Sequence, residues 1–183
     1  MTSTDPSTTR GLAARIGGYC WIEQQLFGLF GGWVRSTDDP ESKLLVAAIG
    51  EHAGWRARRW FESLPTAPPG PDQLVLPPVG AEAIFAAAAR GGQDPERPGD
   101  RLLLAVAVLL PALVEAMETD LALIADLAAA PIRRLLEIAC FDIARDRAIL
   151  GSATSGIGPT GPEFGTVSAA ITANGGFFGP TQG

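Results

Sequence analysis

Leu12, Ile16, Tyr19, Phe27 and Phe30 recur at the three- and four-residue spacing of one helical face. The pattern predicts a first helix that opens at the Ser7-Thr8-Thr9 cluster, whose hydroxyls can cap it, and closes at about Phe30, before Gly31-Gly32. Glu23 falls in the gap between Tyr19 and Phe27, which puts a carboxylate on the core side. A second helix is predicted from Pro40, a favoured first-turn residue followed by Glu41, to about Leu64, where Pro65 stops it. Leu45, Ile49, His52, Arg56 and Trp60 make one stripe along it, and Leu44, Ala48, His52, Trp55 and Arg59 a neighbouring one. His52 belongs to both.

Six prolines between Pro65 and Pro78 predict an extended connection long enough to cross one end of a bundle. A short alanine-rich helix, Ala81 to Arg90, follows. After the breaker region Gly91 to Gly99, Asp100 is expected to cap a third long helix that carries Pro111 as a kink and ends near Ala129. Pro131 opens a fourth, ending at Leu150. From Gly151 the chain is rich in glycine and carries a single charge, Glu163, so no helical period is read there. The pattern therefore divides the chain into a flexible start at 1–9, a helical bundle at 10–150 and an irregular Gly/Pro-rich tail at 151–183, with Ile157, Phe164, Val167, Ile171, Phe177 and Phe178 as spaced apolar anchors. The fold class is all-α, a four-helix bundle with a short extra helix.

Composition narrows the function. A net charge of -6 repels phosphate backbones and argues against a nucleic-acid partner. The start of the chain lacks an apolar secretory segment, and Cys20 and Cys140 both lie in predicted helices, so a reducing cytoplasmic setting with packed thiols is expected. The longest apolar run, Leu102 to Val114, is too short for a membrane span and is read as a buried helix. No phosphate-binding glycine loop, Cys-x-x-Cys or Gly-x-Ser-x-Gly elbow occurs.

Four long helices with Glu and His on core faces suggest the way bundles house metals: a Glu from one helix and Glu-x-x-His from the next, repeated on the second pair. Inward carboxylates are costly unless something positive pairs with them, and iron or manganese would do so. The segment GGYCWIEQQLFGLFGGWV from Gly17 to Val34, the stretch around EHAGWRARRW between Lys43 and Pro65, and LLPAL with APIRRLLEIACFDIARD resemble ferritin-like bundle proteins of actinobacteria, many of which occur beside natural-product biosynthesis genes. The resemblance spans most of residues 11–150 and leaves the tail uncovered. Such relatives tend to carry several histidines in the second helix. This chain has only His52, with Gly54 and Arg56 nearby, and Ile49 stands where a Glu-x-x-His motif needs its Glu.

The expected function is thus a metal-poor ferritin-like bundle that binds or transforms a small organic molecule in specialised metabolism. Glu23, His52 and Arg56 are the catalytic candidates, and Tyr19, Trp55 and Trp60 the lining of a pocket. Whether the chain is an enzyme stays open. The alternative is a carboxylate-rich oxidase or oxygenase with iron or manganese on Glu23, His52, Glu115, Glu118, Asp142 and Asp146. A third reading makes the helices a scaffold and the tail the working part, docking a protein partner; a homo-oligomer is compatible with any of these. Each residue also has a plainer fate. Glu23 can pair with an arginine such as Arg56, His52 can be a satisfied core histidine, and Glu115 and Glu118 can be solvated flank charges. Asp142 and Asp146 face inward if the fourth helix packs through Ile132, Leu135, Ala139 and Ile149, and outward if it packs through Leu136, Cys140, Ile143, Arg147 and Leu150. Arg56, Arg58 and Arg59 either face solvent or hold an anion, and the tryptophans are otherwise core filler.

Overall fold

The Thr8 side chain accepts a hydrogen bond from the Gly11 amide at 3.0 Å and starts α1 (Thr9–Arg35), and Asp39 accepts from the Ser42 amide at 2.8 Å and starts α2 (Pro40–Glu62). The computed structural model describes residues 8–91, 98–124, 129–155 and 162–179, and every regular element among them is helical. After α2 come a single 3-10 turn (Pro71–Gln73), α3 (Ala81–Gly91), α4 (Pro98–Leu104), a π-helical turn (Ala105–Leu109), α5 (Leu110–Leu123), α6 (Ala130–Ala153) and α7 (Pro162–Asn174).

The expected break at Gly31-Gly32 does not occur, and α1 continues through both glycines. A glycine in a helix costs only about 1 kcal/mol, and Phe30 and Trp33, both buried and 5.4 Å apart between ring centroids, hold this turn against the core. The third long helix is interrupted as Pro111 predicts, but by a widened turn. In the π register the Leu110 amide bonds to Ala105 O, and the next donor would be Pro111, which has none. Arg147 Nε of α6 donates to the carbonyl left over, Val106 O, at 3.4 Å. The backbone turns extended at Ile124, earlier than the Ala129 expected, and Arg133 donates to the carbonyls of Leu121 and Ile124 at 2.8 Å each.

Helical turns, the widened one included, therefore run from Gly99 to Leu123, 25 residues that hold an 18-residue stretch with a mean hydropathy of 2.0, long and apolar enough to cross a membrane by length and composition. The expectation of a buried helix had rested on a shorter run. It now rests on packing: 44% of that segment is buried in the protein, and Arg101 and Asp120 at its two ends both bond to α1 or the loop after it.

Those two contacts also fix direction. Arg101 Nη1 reaches Ser36 O at 3.1 Å, near the end of α1, while Asp120 meets Arg15 near its start, so α4–α5 runs antiparallel to α1. The pairs α1/α2 and α5/α6 are hairpins, and α2 packs on α6. The core lies between them, with Ile22, Leu26, Trp60, Leu109, Leu113, Ile143 and Leu150 fully buried. On α6 the buried positions are Leu136, Ala139, Ile143, Asp146 and Leu150, a mixture of the two stripes read from the sequence.

The tail is not irregular among its described residues, outside which Ile157 lies. Residues 162–174 form α7, which packs on α3, and Phe164, Val167 and Phe177 are buried. The few apolar anchors carry this helix: the Phe177 ring lies 5.7 Å from Phe85 of α3, and Phe178 lies edge-on to Tyr19 at 4.7 Å. Two glycines of α1 make room for these crossings. A side chain at Gly17 would strike the Leu74 carbonyl, and one at Gly18 would strike the Phe178 ring.

Candidate functional site

Glu23 is fully buried, with 0% exposure, on the face of α1 that meets α2. A carboxylate there must be paired, and Arg56, one helix away, donates from Nε and Nη2 to its two oxygens at 2.7 and 3.1 Å. The third guanidinium nitrogen, Nη1, donates to Asp146 Oδ2 of α6 at 3.3 Å, and the other Asp146 oxygen lies 2.7 Å from His52 Nδ1. A carboxylate only accepts, so His52 Nδ1 carries the proton in this contact. Four side chains from three helices thus form one chain, Glu23–Arg56–Asp146–His52. Its inner end is sealed, and its outer end, the His52 side chain, is 54% exposed.

The charges in this chain act on one another. Burial pushes the Glu23 carboxyl above its ordinary range, and Arg56 only partly offsets that. Burial also works against the charge of Arg56, but Glu23 and Asp146 outweigh it and hold the guanidinium charged. The arrangement fixes Asp146 on two sides, by Arg56 and by His52. It leaves the second imidazole nitrogen, Nε2, turned away from the carboxylate.

A second buried cluster lies at the other end of α1. Arg15 donates from Nε to both Asp120 oxygens at 3.0 and 2.9 Å and from Nη2 to Oδ1, and the Tyr19 hydroxyl donates to Asp120 Oδ2 at 2.7 Å. The Arg15 guanidinium sits over the Phe178 ring at 4.0 Å, and Tyr19 stacks on Trp60 at 5.0 Å. Burial, with Asp120 adding to it, raises the Tyr19 phenol well above its ordinary value. This cluster joins α1, α5 and the C-terminal segment.

The sequence-predicted candidates separate into groups. Glu23 does pair with Arg56, one of the two fates foreseen for it, and the direct Glu23/His52 pair does not form because Arg56 and Asp146 stand between them. Arg56 and Glu23 have no exposed reactive edge. Tyr19 and Trp60 are core residues that stack on each other, and Trp55 is 44% exposed with Arg59 over its ring at 5.2 Å, so the three do not line a common pocket. Glu115 and Glu118 are exposed on α5, and Asp142 is half-buried on α6. Among the described residues no three His, Cys, Asp or Glu side chains converge as metal ligands do. The proposed iron or manganese set does not fit: both oxygens of Glu23 are engaged by Arg56, and the α5 glutamates point to solvent. Cys20 and Cys140 are free thiols, each raised to about 11 by burial, with the nearby carboxylates of Glu23 and Glu118 adding to it.

Sequence reasoning passed over Arg15 and Asp120. A signal existed, since Leu113, Met117, Asp120 and Ile124 keep the three-and-four spacing and are all buried. Two open grooves flank α1. One, of about 650 Å³, is lined by Gln24, Phe27, Glu51, Gly54, Ala57, Arg58 and Phe61, and the other, of about 570 Å³, by Gly28, Leu29, Gly32, Trp33, Ser36, Ala89 and Arg101. No family model, no curated protein and no solved structure matches this chain.

Proposed function

We propose that this chain is an acid–base site for a small organic molecule, built on a ferritin-like bundle, in which His52 Nε2 exchanges a proton with the ligand at the solvent edge of α2 and α6. The observation that carries this reading is the buried chain behind His52. Removing charges from water costs several kcal/mol per ion, and apolar side chains of similar size would stabilise a core as well or better. What the charges add is orientation. Asp146, held by Arg56, fixes the imidazole ring and its tautomer, the role a carboxylate plays behind a general-base histidine. Glu23 and Arg56 are positioning residues in this reading.

The ferritin-like part is supported by direction. Helices α1 and α6 run one way, α2 and α4–α5 the other, and one long connection carrying α3 joins the two hairpins, the up-down-down-up order of a bundle with a single crossover. The resemblance that links such bundles to natural-product genes makes a specialised metabolite the class of ligand to try.

A carbon acid that releases a chromophore on deprotonation, such as 5-nitrobenzisoxazole, reports a working base directly. The folded protein should open this ring faster than the same concentration of free imidazole. His52→Gln should remove the excess rate and Asp146→Asn should reduce it. A rate equal to that of free imidazole, or one unchanged in His52→Gln, would defeat the proposal.

A further inference from the structure

The outward ridge of α2 carries Glu41, Leu44, Ala48, Glu51, Trp55 and Arg58, every one of them exposed. Their spacing of three and four residues is that of the contact seam in a pair of packed helices. It lies opposite the face that holds Val46, Ile49, Ala53, Ala57 and Trp60 in the core, so the hairpin partner α1 and the neighbour α6 leave this ridge uncovered. Leu44 is 71% exposed, and beside the ridge Phe27 of α1 is 53% exposed. Leu44 and Trp55 are the large apolar side chains of this ridge.

We infer that this ridge is a self-association surface, on which α2 of a second copy packs antiparallel. One register gives every ridge position a counterpart, with Arg58, already 2.9 Å from Glu62 of its own chain, sharing its guanidinium with Glu41 of the other. It sets Glu41 opposite Arg58 of the other copy, Leu44 opposite Trp55 and Ala48 opposite Glu51, and the two-fold axis repeats each pairing. The ends are then oppositely charged, and the apolar pair lies inside them. Antiparallel packing also sets the helix dipoles in opposition.

The surface already contains the matching hole. A seam residue of one helix inserts among four residues of the facing helix, and for Leu44 in this register those are Glu51, Gly54, Trp55 and Arg58. Glu51, Gly54 and Arg58 line the open groove of about 650 Å³ whose walls are completed by Phe27 and Phe61. Gly54 forms its floor; a Cβ there would come within 3.1 Å of the Phe27 ring. A leucine from the second copy is of a size and polarity to enter. His52 stands on the α6 flank of the ridge, so the second copy would wall the imidazole on one side without covering it. The dimer does not depend on the acid–base reading.

Sedimentation velocity of the full chain over a dilution series tests the inference. The wild-type protein should form a reversible species of twice the 19.0 kDa chain mass. Leu44→Glu, at a site too exposed to matter for folding, should weaken it by roughly tenfold or more, the loss expected when a charge replaces a buried anchor. Glu41→Arg should weaken it, and Glu41→Arg with Arg58→Glu should restore it, while melting curves of all variants stay close to wild type. A chain that remains monomeric at the highest concentration overturns the inference, and so does a dimer indifferent to Leu44→Glu. Failure of the double charge reversal to restore the dimer overturns the register.

Discussion

Arg56 holds both oxygens of Glu23, at 2.7 and 3.1 Å, with neither side chain in contact with water. Two charges buried this way depend on each other more than on the rest of the core. Removing one leaves the other uncompensated, and Arg56→Ala or Glu23→Ala should each cost about 3–5 kcal/mol of stability. Replacing both by apolar residues, Glu23→Leu with Arg56→Met, should recover most of that loss. Urea denaturation of the four proteins checks it, and single losses that simply add in the double variant would contradict the pairing.

The Glu23 carboxyl also makes stability depend on pH, in a direction set by its raised pKa. Well below the ordinary glutamate value of 4.5 the group is protonated in both folded and unfolded chains and contributes no pH dependence. As pH rises past that value the unfolded chain releases its proton while the folded one keeps it, so stability falls through the window up to the folded-state pKa. The melting temperature of the wild type should therefore drop relative to Glu23→Gln as pH is raised from that point. Parallel curves for the two proteins would show that the carboxyl is not raised by burial.

The C-terminal segment is part of the core, through Phe177, Val167 and the Phe178 ring under Arg15. Phe177→Ala should cost about 3–5 kcal/mol, in the range for emptying a buried aromatic site. Tyr19→Phe, which removes one hydrogen bond to a charged acceptor, should cost about 1.5–3 kcal/mol. Deleting residues 162–183 should increase amide exchange in α3, against which α7 packs. Unchanged exchange in α3 would return the segment to the status of a loose tail.

The sequence made the helices of the bundle legible because they are long and apolar residues recur at helical spacing from Leu12 to Trp60, although of the two stripes read on α2 the one through Leu44, Ala48, Trp55 and Arg59 faces solvent. Glu23 and His52 stood out for the same reason, as polar residues within those stripes, but only Glu23 is buried; His52, read as a possible core histidine, is 54% exposed. The linkage between them was not legible. Asp146 sits on α6, far along the chain, and two stripes of that helix were equally apolar, so only packing could show that the helix buries positions from both, Asp146 among them. Arg56 was visible as a partner for Glu23, but its third nitrogen, which joins Asp146, follows from the crossing of α2 and α6. The C-terminal helix was hidden by the glycines on either side of it: it is held by contacts with α3, and the segment after it by Phe178 against α1, which no local pattern records. The Arg15–Asp120 pair was missed although Asp120 keeps the spacing of Leu113, Met117 and Ile124; Arg15 lies one position off the stripe through Leu12 and Ile16.

The central claim is that Asp146 fixes His52 with its proton on Nδ1 and its free nitrogen toward solvent. Long-range proton–nitrogen NMR spectra of the neutral imidazole read this directly. The account predicts that His52 is held in the Nδ1–H form, with Nε2 as the unprotonated nitrogen, and that Asp146→Asn releases it to a mixture of tautomers. A wild-type spectrum dominated by the Nε2–H form would contradict it.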